Sequence, residues 1–427
     1  MQRLPLRGAD LVLMALHSTG NAAASSNALL VVHCDGPVCP ERVTRSLHRF
    51  LQFCPWPAAR LRRPFPWGKL HWAATRAAAD APPSVRCRTV VTAEDVHEAV
   101  DAELNTAIDP RRDPPLRFLT LEGGPGATSG GALVMTWFHP FMDPRGAQNL
   151  MSHLVHLDRD ATDAPWGSTV PRFVRAADSR SFRERGRLAR KSLEYMRTLP
   201  RTLPVSPAAP PTGRVRFRQV SFAERNGARG TQEIWWRLAV VGKAMRRLWQ
   251  ERELPDVPFL LPIAVDLRPK GEPGPTFGNM LAFHFARFRP SDAADVPRLA
   301  SALRGQLADA VRSGQIEAND VAMDFLQYRP LCFVRRAVRR TNGQTFSFNC
   351  ADVTDFPAAL DRCFGRRVVN AYHIPAVPPR PGIGVFFNRC AGRSNLVVAW
   401  IDGVVTNDDV TRIVEVVREG MGWTETS

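Results

Sequence analysis

Apolar and polar positions along the chain switch between a period of two and a period near 3.6. Residues 28–34, ALLVVHC, form a short apolar run closed by Asp35-Gly36-Pro37, which predicts a buried strand. From Pro40 onward Val43, Leu47, Phe50, Leu51 and Cys54 recur at helical spacing until Pro55 and Pro57 end the pattern. The basic stretch AARLRR then reads as extended chain. The segments LRFLTLE and ALVMTWF predict two strands, with GGPGATSGG between them as the tip of a long hairpin. The glycine spacing in that loop does not fit GxGxxG, so it is not a phosphate cradle. A helix is predicted from Asp143 to about Leu157, with Asp143 as N-cap and Pro144 as first helical residue. Ala147, Leu150, Met151 and Leu154 give it an apolar face.

The segment 199–212, LPRTLPVSPAAPPT, is too proline-rich for a regular element and reads as a linker between halves of similar size. After it, RVRFRQVSF alternates like a strand. Ile234, Leu238, Val241, Met245 and Leu248 mark a long amphipathic helix, and FLLPIAVDL is a strand ending at Arg268-Pro269. Further strands are predicted at TFSFN, GIGVFFN and NLVVAWIDG, and a last helix over about 407–420 with Asn407 as cap. Strands and helices thus alternate in both halves. At 427 residues the chain exceeds what one core usually serves. We therefore expect an N-terminal lobe over 1–175, a basic helix and linker over 176–213, and a C-terminal lobe over 214–427.

No apolar run approaches the roughly 20 residues that span a bilayer. Asp10 interrupts the apolar patch near the N-terminus, no cleavage site follows it, and a cytoplasmic protein is expected. The eight cysteines contain no CxxC pair, which argues against a zinc ribbon or a disulfide framework. His153 and His156 lack further ligands at useful spacing, so no metal is expected. The net charge of +16 invites a nucleic-acid reading. All but Lys69, Lys191, Lys243 and Lys270 of the 57 cations are arginine, however, and the basic clusters lack the interleaved aromatics of nucleic-acid modules. No nucleic acid is expected. An acidic cofactor, an acidic carrier protein or peripheral contact with an anionic membrane suits the charge equally well. The densest cluster, residues 178–201, carries eight basic and three acidic side chains.

Candidate chemistry concentrates in LVMTWFHPFMDPRG, residues 133–146. There is no GxSxG, HExxH or Walker A sequence. His139 and Asp143 alone could be a strand end and a helix cap. Their company changes that. An early strand and helix lead to PWPAARLRR; DPPLRFLTLE leads into the hairpin; WFHPFMDPRG supplies HxxxD; PIAVDLRPKGEPGPTFGN supplies Val-Asp-x-Arg followed by Gly-Asn; and FSFNCADV places Asn349 on a late strand. These five segments, in this order and over almost the whole length, resemble the chloramphenicol-acetyltransferase-like superfamily. That superfamily includes condensation domains, wax ester synthases, alcohol acyltransferases and the BAHD acyltransferases.

The resemblance implies an α/β (α+β) fold of two lobes, each a mixed sheet flanked by helices, with a tunnel between them. It implies transfer of an acyl group from acyl-CoA or a phosphopantetheine thioester on an acyl carrier protein to a small-molecule alcohol or amine. His139 would be the general base, suited by a pKa that is ordinarily near neutral. Asp143 would turn away from substrate and pair with Arg268. Gly146, Asn279 and Asn349 would be substrate-binding candidates. No bound cofactor is implied, and a monomer is expected. Phe138 stands where many members have a first histidine, and Pro144 where they have glycine after the aspartate. Proline there removes an N–H and adds a ring near the acceptor path. Two alternatives therefore stand beside the O- or N-acyltransferase: an amide-forming condensation protein acting on carrier-bound substrates, and an inactive scaffold of the same fold.

Overall fold

The computed structural model describes all residues except 1, 18–25, 66–67, 75–81, 124–129, 161, 163–165, 167–170, 177, 207–212, 224–232, 270–273, 341–345, 354 and 426–427. The expected hairpin tip and the end of the proline-rich linker fall largely outside the described residues. In chain order the first half forms β1 (Gln2–Pro5), α1 (Gly8–His17), β2 (Asn27–Cys34), α2 (Pro40–Phe53), β3 (Arg60–Arg62), β4 (His71–Ala74), β5 (Val85–Val90), α3 (Ala93–Asn105), β6 (Leu116–Gly123), β7 (Gly131–Phe138), α4 (Pro144–Arg159) and α5 (Phe182–Arg197). The second half forms β8 (Val215–Ala223), α6 (Glu233–Glu251), β9 (Phe259–Asp266), β10 (Leu281–Phe288), α7 (Val296–Arg312), α8 (Gln315–Asp324), α9 (Leu331–Arg340), β11 (Asn349–Asp352), β12 (Arg362–Cys363), β13 (Arg366–Ile374), β14 (Ile383–Cys390), β15 (Arg393–Ile401), α10 (Asn407–Met421) and β16 (Thr424–Glu425).

The largest sheet has six strands in the order β12-β13-β2-β7-β6-β5, and a second has five in the order β11-β14-β15-β8-β16. Strand β2 explains why the first sheet is central. Ala28, Leu30 and Val32 face a core shared with α2 and α4, whereas Leu29 and Val31 face a core shared with α3, β8 and β14–β15. Both faces are covered, so the run is continuously apolar, as buried-sheet strands are. The strand neighbouring β2 on one side is β13, from more than three hundred residues later, paired antiparallel from Val368↔Cys34 to Ile374↔Leu29. Asn370 of β13 and Asn395 of β15 exchange side-chain hydrogen bonds at 3.0 and 2.9 Å in a buried setting. That satisfied polar pair ties β13 of the first sheet to β15 of the second.

Two local expectations are corrected. The strand expected at TFSFN begins only at Asn349, because Ser347 is drawn aside to bond Val205 and Leu260 while Phe348 packs edge-on against Phe259. The final helix is capped by Thr406, not Asn407: the Thr406 hydroxyl accepts from Asp409 N, and Asp409 accepts from Thr406 N. The start of the proline-rich segment is not a free tether either. Thr202 Oγ1 bonds Pro258 O at 2.8 Å, and Val205 is fully buried.

Candidate active site

His139 is the first residue after β7, the strand ALVMTWF. It opens a 3-10 turn, His139–Phe141, and Met142 then returns to extended backbone so that Asp143 caps α4. Trp137 Nε1 donates to Met142 O at 2.8 Å, which clamps the turn across its base. Asp143 Oδ1 accepts from Gly146 N at 2.7 Å, as an N-cap should, and Pro144 needs no partner for a missing N–H at the first helical position.

A strand of chain from the second half lies against this turn. Gly278 N donates to Phe141 O at 2.8 Å, and Met142 bridges Gly278. Gly278 has φ +86°, a conformation that favours glycine. Arg268 donates from both terminal nitrogens to the two Asp143 oxygens, each at 3.0 Å, and Met280 N adds a 2.8 Å bond to Oδ2. With Gly146 N the carboxylate accepts four hydrogen bonds, which fills its lone-pair capacity. Arg268 in turn donates to Pro275 O and to Asp266 Oδ1. Asp143 therefore has a structural task at both ends. The cap and the interlobe pair are the same carboxylate.

Gly146 and Asn279 serve the same joint. A Cβ on Gly146 would sit 2.2 Å from Thr276 O, so only glycine lets the crossing segment pack on the first turn of α4. Asn279 Nδ2 donates to His139 O at 3.1 Å and to Asp10 Oδ1 at 2.8 Å, and Asn279 N donates to the same Asp10 oxygen. Neither residue lines the cavity described next. Asn349 does.

That cavity has a volume of about 440 Å³ and is lined by His139, Asp143, Pro144, Arg268 and Asn349 among others. One face of the β9–β10 pair forms a wall. Pro262, Ala264 and Asp266 alternate inward opposite Phe285, Phe283 and Leu281 in register. Val12, Leu13 and Leu16 of α1 and Leu193 and Met196 of α5 close it on one side, and residues 349–353, Pro375 and Pro378 on the other. The lining is mostly hydrocarbon with a few polar groups, the usual composition of a small-molecule site. Burial pushes the His139 pKa down to about 4, against the pull of the Asp143 charge, so the ring is neutral at pH 7. This departs from the near-neutral value that the residue type suggests. Burial likewise raises Asp10 to about 6.

Sequence reasoning missed two contributors. Asp10 was legible only as a lone carboxylate inside the apolar helical run ADLVLMALH, a pattern that in hindsight marks a buried partner. The roof from α5 was hidden because its apolar stripe sits in an otherwise basic helix.

No family model matches the sequence, and no curated protein matches it. Solved structures do resemble it over nearly the full length. The trichothecene 15-O-acetyltransferase of Fusarium sporotrichioides superposes on 98% of this chain and 94% of its own, with a TM-score of 0.69 at 10% identity. The chain has the condensation-domain acyltransferase fold. A mutant starter condensation domain of rhizomide synthetase in complex with C8-CoA and Leu-SNAC covers 98% of this chain and 94% of its own, at TM-score 0.63 and 12% identity. The wax ester synthase/diacylglycerol acyltransferase of Marinobacter aquaeolei VT8 covers 98% of both chains at TM-score 0.60 and 13% identity. The two-lobed condensation-type fold is thereby established for this chain, with His139 and Asn279 at the junction of its halves.

Proposed function

We propose that the protein is an acyltransferase that moves an acyl group from a thioester to a hydroxyl or amine, with His139 as general base. The observation that carries this is the position of a neutral imidazole on the wall of an apolar cavity, beside a carboxylate already committed to Arg268. A neutral ring can take the acceptor's O–H or N–H proton as the acceptor attacks the thioester carbonyl carbon. The tetrahedral oxyanion then collapses, the C–S bond breaks, and the imidazolium returns its proton to the thiolate. The products are an ester or amide and a free thiol.

Asp143 carries no proton in this scheme. Its charge favours the transient imidazolium, and its pair with Arg268 holds the turn. To Asn349, half-buried on the cavity wall, we assign binding of the oxyanion or of substrate. Gly146 and Asn279 we assign to positioning. The C8-CoA and Leu-SNAC held by the rhizomide synthetase domain support a thioester donor, either acyl-CoA or carrier-bound.

The test is mass spectrometry of products after incubation with acyl-CoA and acyl-carrier donors plus mixed alcohols and amines. The expected result is a transferred acyl group that disappears with His139→Ala. Absence of any product from the wild-type protein across the panel overturns the proposal in favour of a scaffold. Amide products from carrier-bound donors alone would select the condensation-type alternative.

A further inference from the structure

Large apolar side chains crowd one basic face of the molecule. Phe182, at the start of α5, is 71% exposed, and Phe333, in the first turn of α9, is 60% exposed. Phe65 and Tyr328 are exposed as well. These residues lie on neighbouring elements. Phe182 meets Phe325 edge-on at 5.6 Å, Phe325 lies 6.0 Å from Tyr328, and Lys69 Nζ sits 4.0 Å over the Tyr328 ring. Gly68 N bonds Phe65 O, and Phe333 N bonds Pro330 O, so both outer phenylalanines flank the same turn regions. Arg63, Lys69, Tyr328 and Arg329 line one small surface cavity between them.

The segments that carry these rings are basic. Residues 60–74 hold four Arg or Lys and residues 325–340 hold five Arg, with no Asp or Glu in either; of the carboxylates nearby, Glu317 pairs with Arg180 and Asp109 with Arg112. Arg62, Arg63, Arg183, Arg329 and Arg336 are exposed. The nearby Glu184 is turned onto Ser181, accepting from its N and Oγ at 2.8 and 2.7 Å. The same face adjoins the apolar cavity: Leu193 and Met196 of α5 are exposed to solvent and line it, as does Leu326 beside Tyr328.

We propose that this face docks on an anionic lipid surface. The exposed phenylalanines enter the boundary between headgroups and acyl chains, and the arginines pair with lipid phosphates. A lipid surface fits better than a nucleic acid because the aromatic rings border an opening into a hydrocarbon-lined cavity, where a bilayer could deliver an apolar substrate. The docking does not depend on the acyl-transfer reading, and its test reads no activity.

The full-length protein is sedimented with phosphatidylcholine vesicles and with vesicles that also contain phosphatidylglycerol. Binding is expected to the second kind, weakening as salt is added. Each substitution among Arg62→Gln, Arg183→Gln and Arg329→Gln should weaken it about fivefold. Phe182→Ser combined with Phe333→Ser should weaken it on the order of tenfold. Val311→Ser, which alters an exposed apolar residue on α7, should bind as the wild type does. Because all these positions are exposed, circular dichroism should show unchanged folding. Equal or no sedimentation with the two vesicle types, or unchanged binding by the face variants, overturns the proposal. So does loss, by these same substitutions, of binding to duplex DNA or an acidic protein when vesicles are not bound.

Discussion

Arg268 holds Asp143 through two parallel N–H···O bonds of 3.0 Å across 125 positions of sequence, with both side chains buried. The forked geometry is what a guanidinium offers a carboxylate and an ammonium cannot. Asp143→Ala or Arg268→Ala should each cost about 3–5 kcal/mol, because each leaves a buried charge without its partner. The double variant should cost clearly less than the sum, and Arg268→Lys should restore little. Urea unfolding of the four proteins checks this; additive losses would mean the pair is energetically idle.

Gly146→Ala tests the joint from the other side. A methyl group 2.2 Å from the Thr276 carbonyl must push the crossing segment off α4. The expected loss is about 1–3 kcal/mol or more, with acyl transfer falling alongside as His139 shifts with its turn. Gly305→Ala, at a position open on α7, should be neutral or slightly stabilising in the same thermal melts.

For His139 the expected change in rate and the expected change in stability separate. His139→Ala should lower acyl transfer by about 10²–10⁴. It should leave folding nearly intact, since the ring borders a cavity and is not wedged in packed hydrocarbon. The pH profile of the wild type is more discriminating. With the base near pKa 4, kcat/KM should stay flat from neutral pH downward and fall only as pH nears that value. A half-maximal rate close to pH 6.5 would mean that the ring is hydrated in the working enzyme.

Acid should unfold the protein by titrating its buried imidazoles. His33, His139, His153 and His284 are lowered to about 4 and His373 to about 3, each chiefly by burial. Unfolded histidine titrates near 6.5, so the neutral folded forms contribute stability above that pH. The contribution is lost as pH falls from 6.5 toward 4, by at most about 1.4 kcal/mol per pH unit for each ring. Asp10, raised to about 6, acts in the opposite sense: ionising it costs stability as pH rises from 3.8 to 6. Burial raises Asp324 and Asp352 as well, and the five rings outweigh the three carboxyls. Urea midpoints should therefore drop between pH 7 and pH 5, and His284→Leu should flatten the drop, since neither ring nitrogen of His284 has a hydrogen-bond partner among the described residues.

Asp10→Ala addresses a site residue that sequence did not single out. Asn279 would lose the acceptor for two of its donors while keeping its bond to His139 O. The expected result is a fall in kcat with little change in KM, because the catalytic turn loosens and the cavity wall stays. An equal fall in both, or no fall, would leave Asp10 with no positioning task.

What could be read from the sequence was what obeys local rules. Pro40, Pro144 and the cap at Asp143 announce their helices through backbone chemistry confined to a few residues. Pairing with Arg268 came from a resemblance of ordered motifs, not from spacing. Strand β13 was not recognised, because RRVVNAYHI puts Asn370 and His373 where an isolated strand would show apolar residues. Asn370 is bonded by Asn395 and the Nε2 of His373 by Gln148, partners that only the folded chain brings near. Asn279 entered as a substrate-binding candidate through the resemblance alone; sequence shows its neighbour Gly278, not the His139 carbonyl it holds.

The pairing of β13 with β2 also sets an order of events during synthesis. Residues 27–34 are made more than three hundred residues ahead of their partner, residues 366–374. Until then β2 presents an unpaired, mostly apolar edge, a template for pairing with the wrong chain. At elongation rates of about 5–20 residues per second, that exposure lasts on the order of tens of seconds. The same strand that welds the finished halves together makes the growing chain a client for chaperones, and expression yield should respond to them more than the stability of the finished protein suggests.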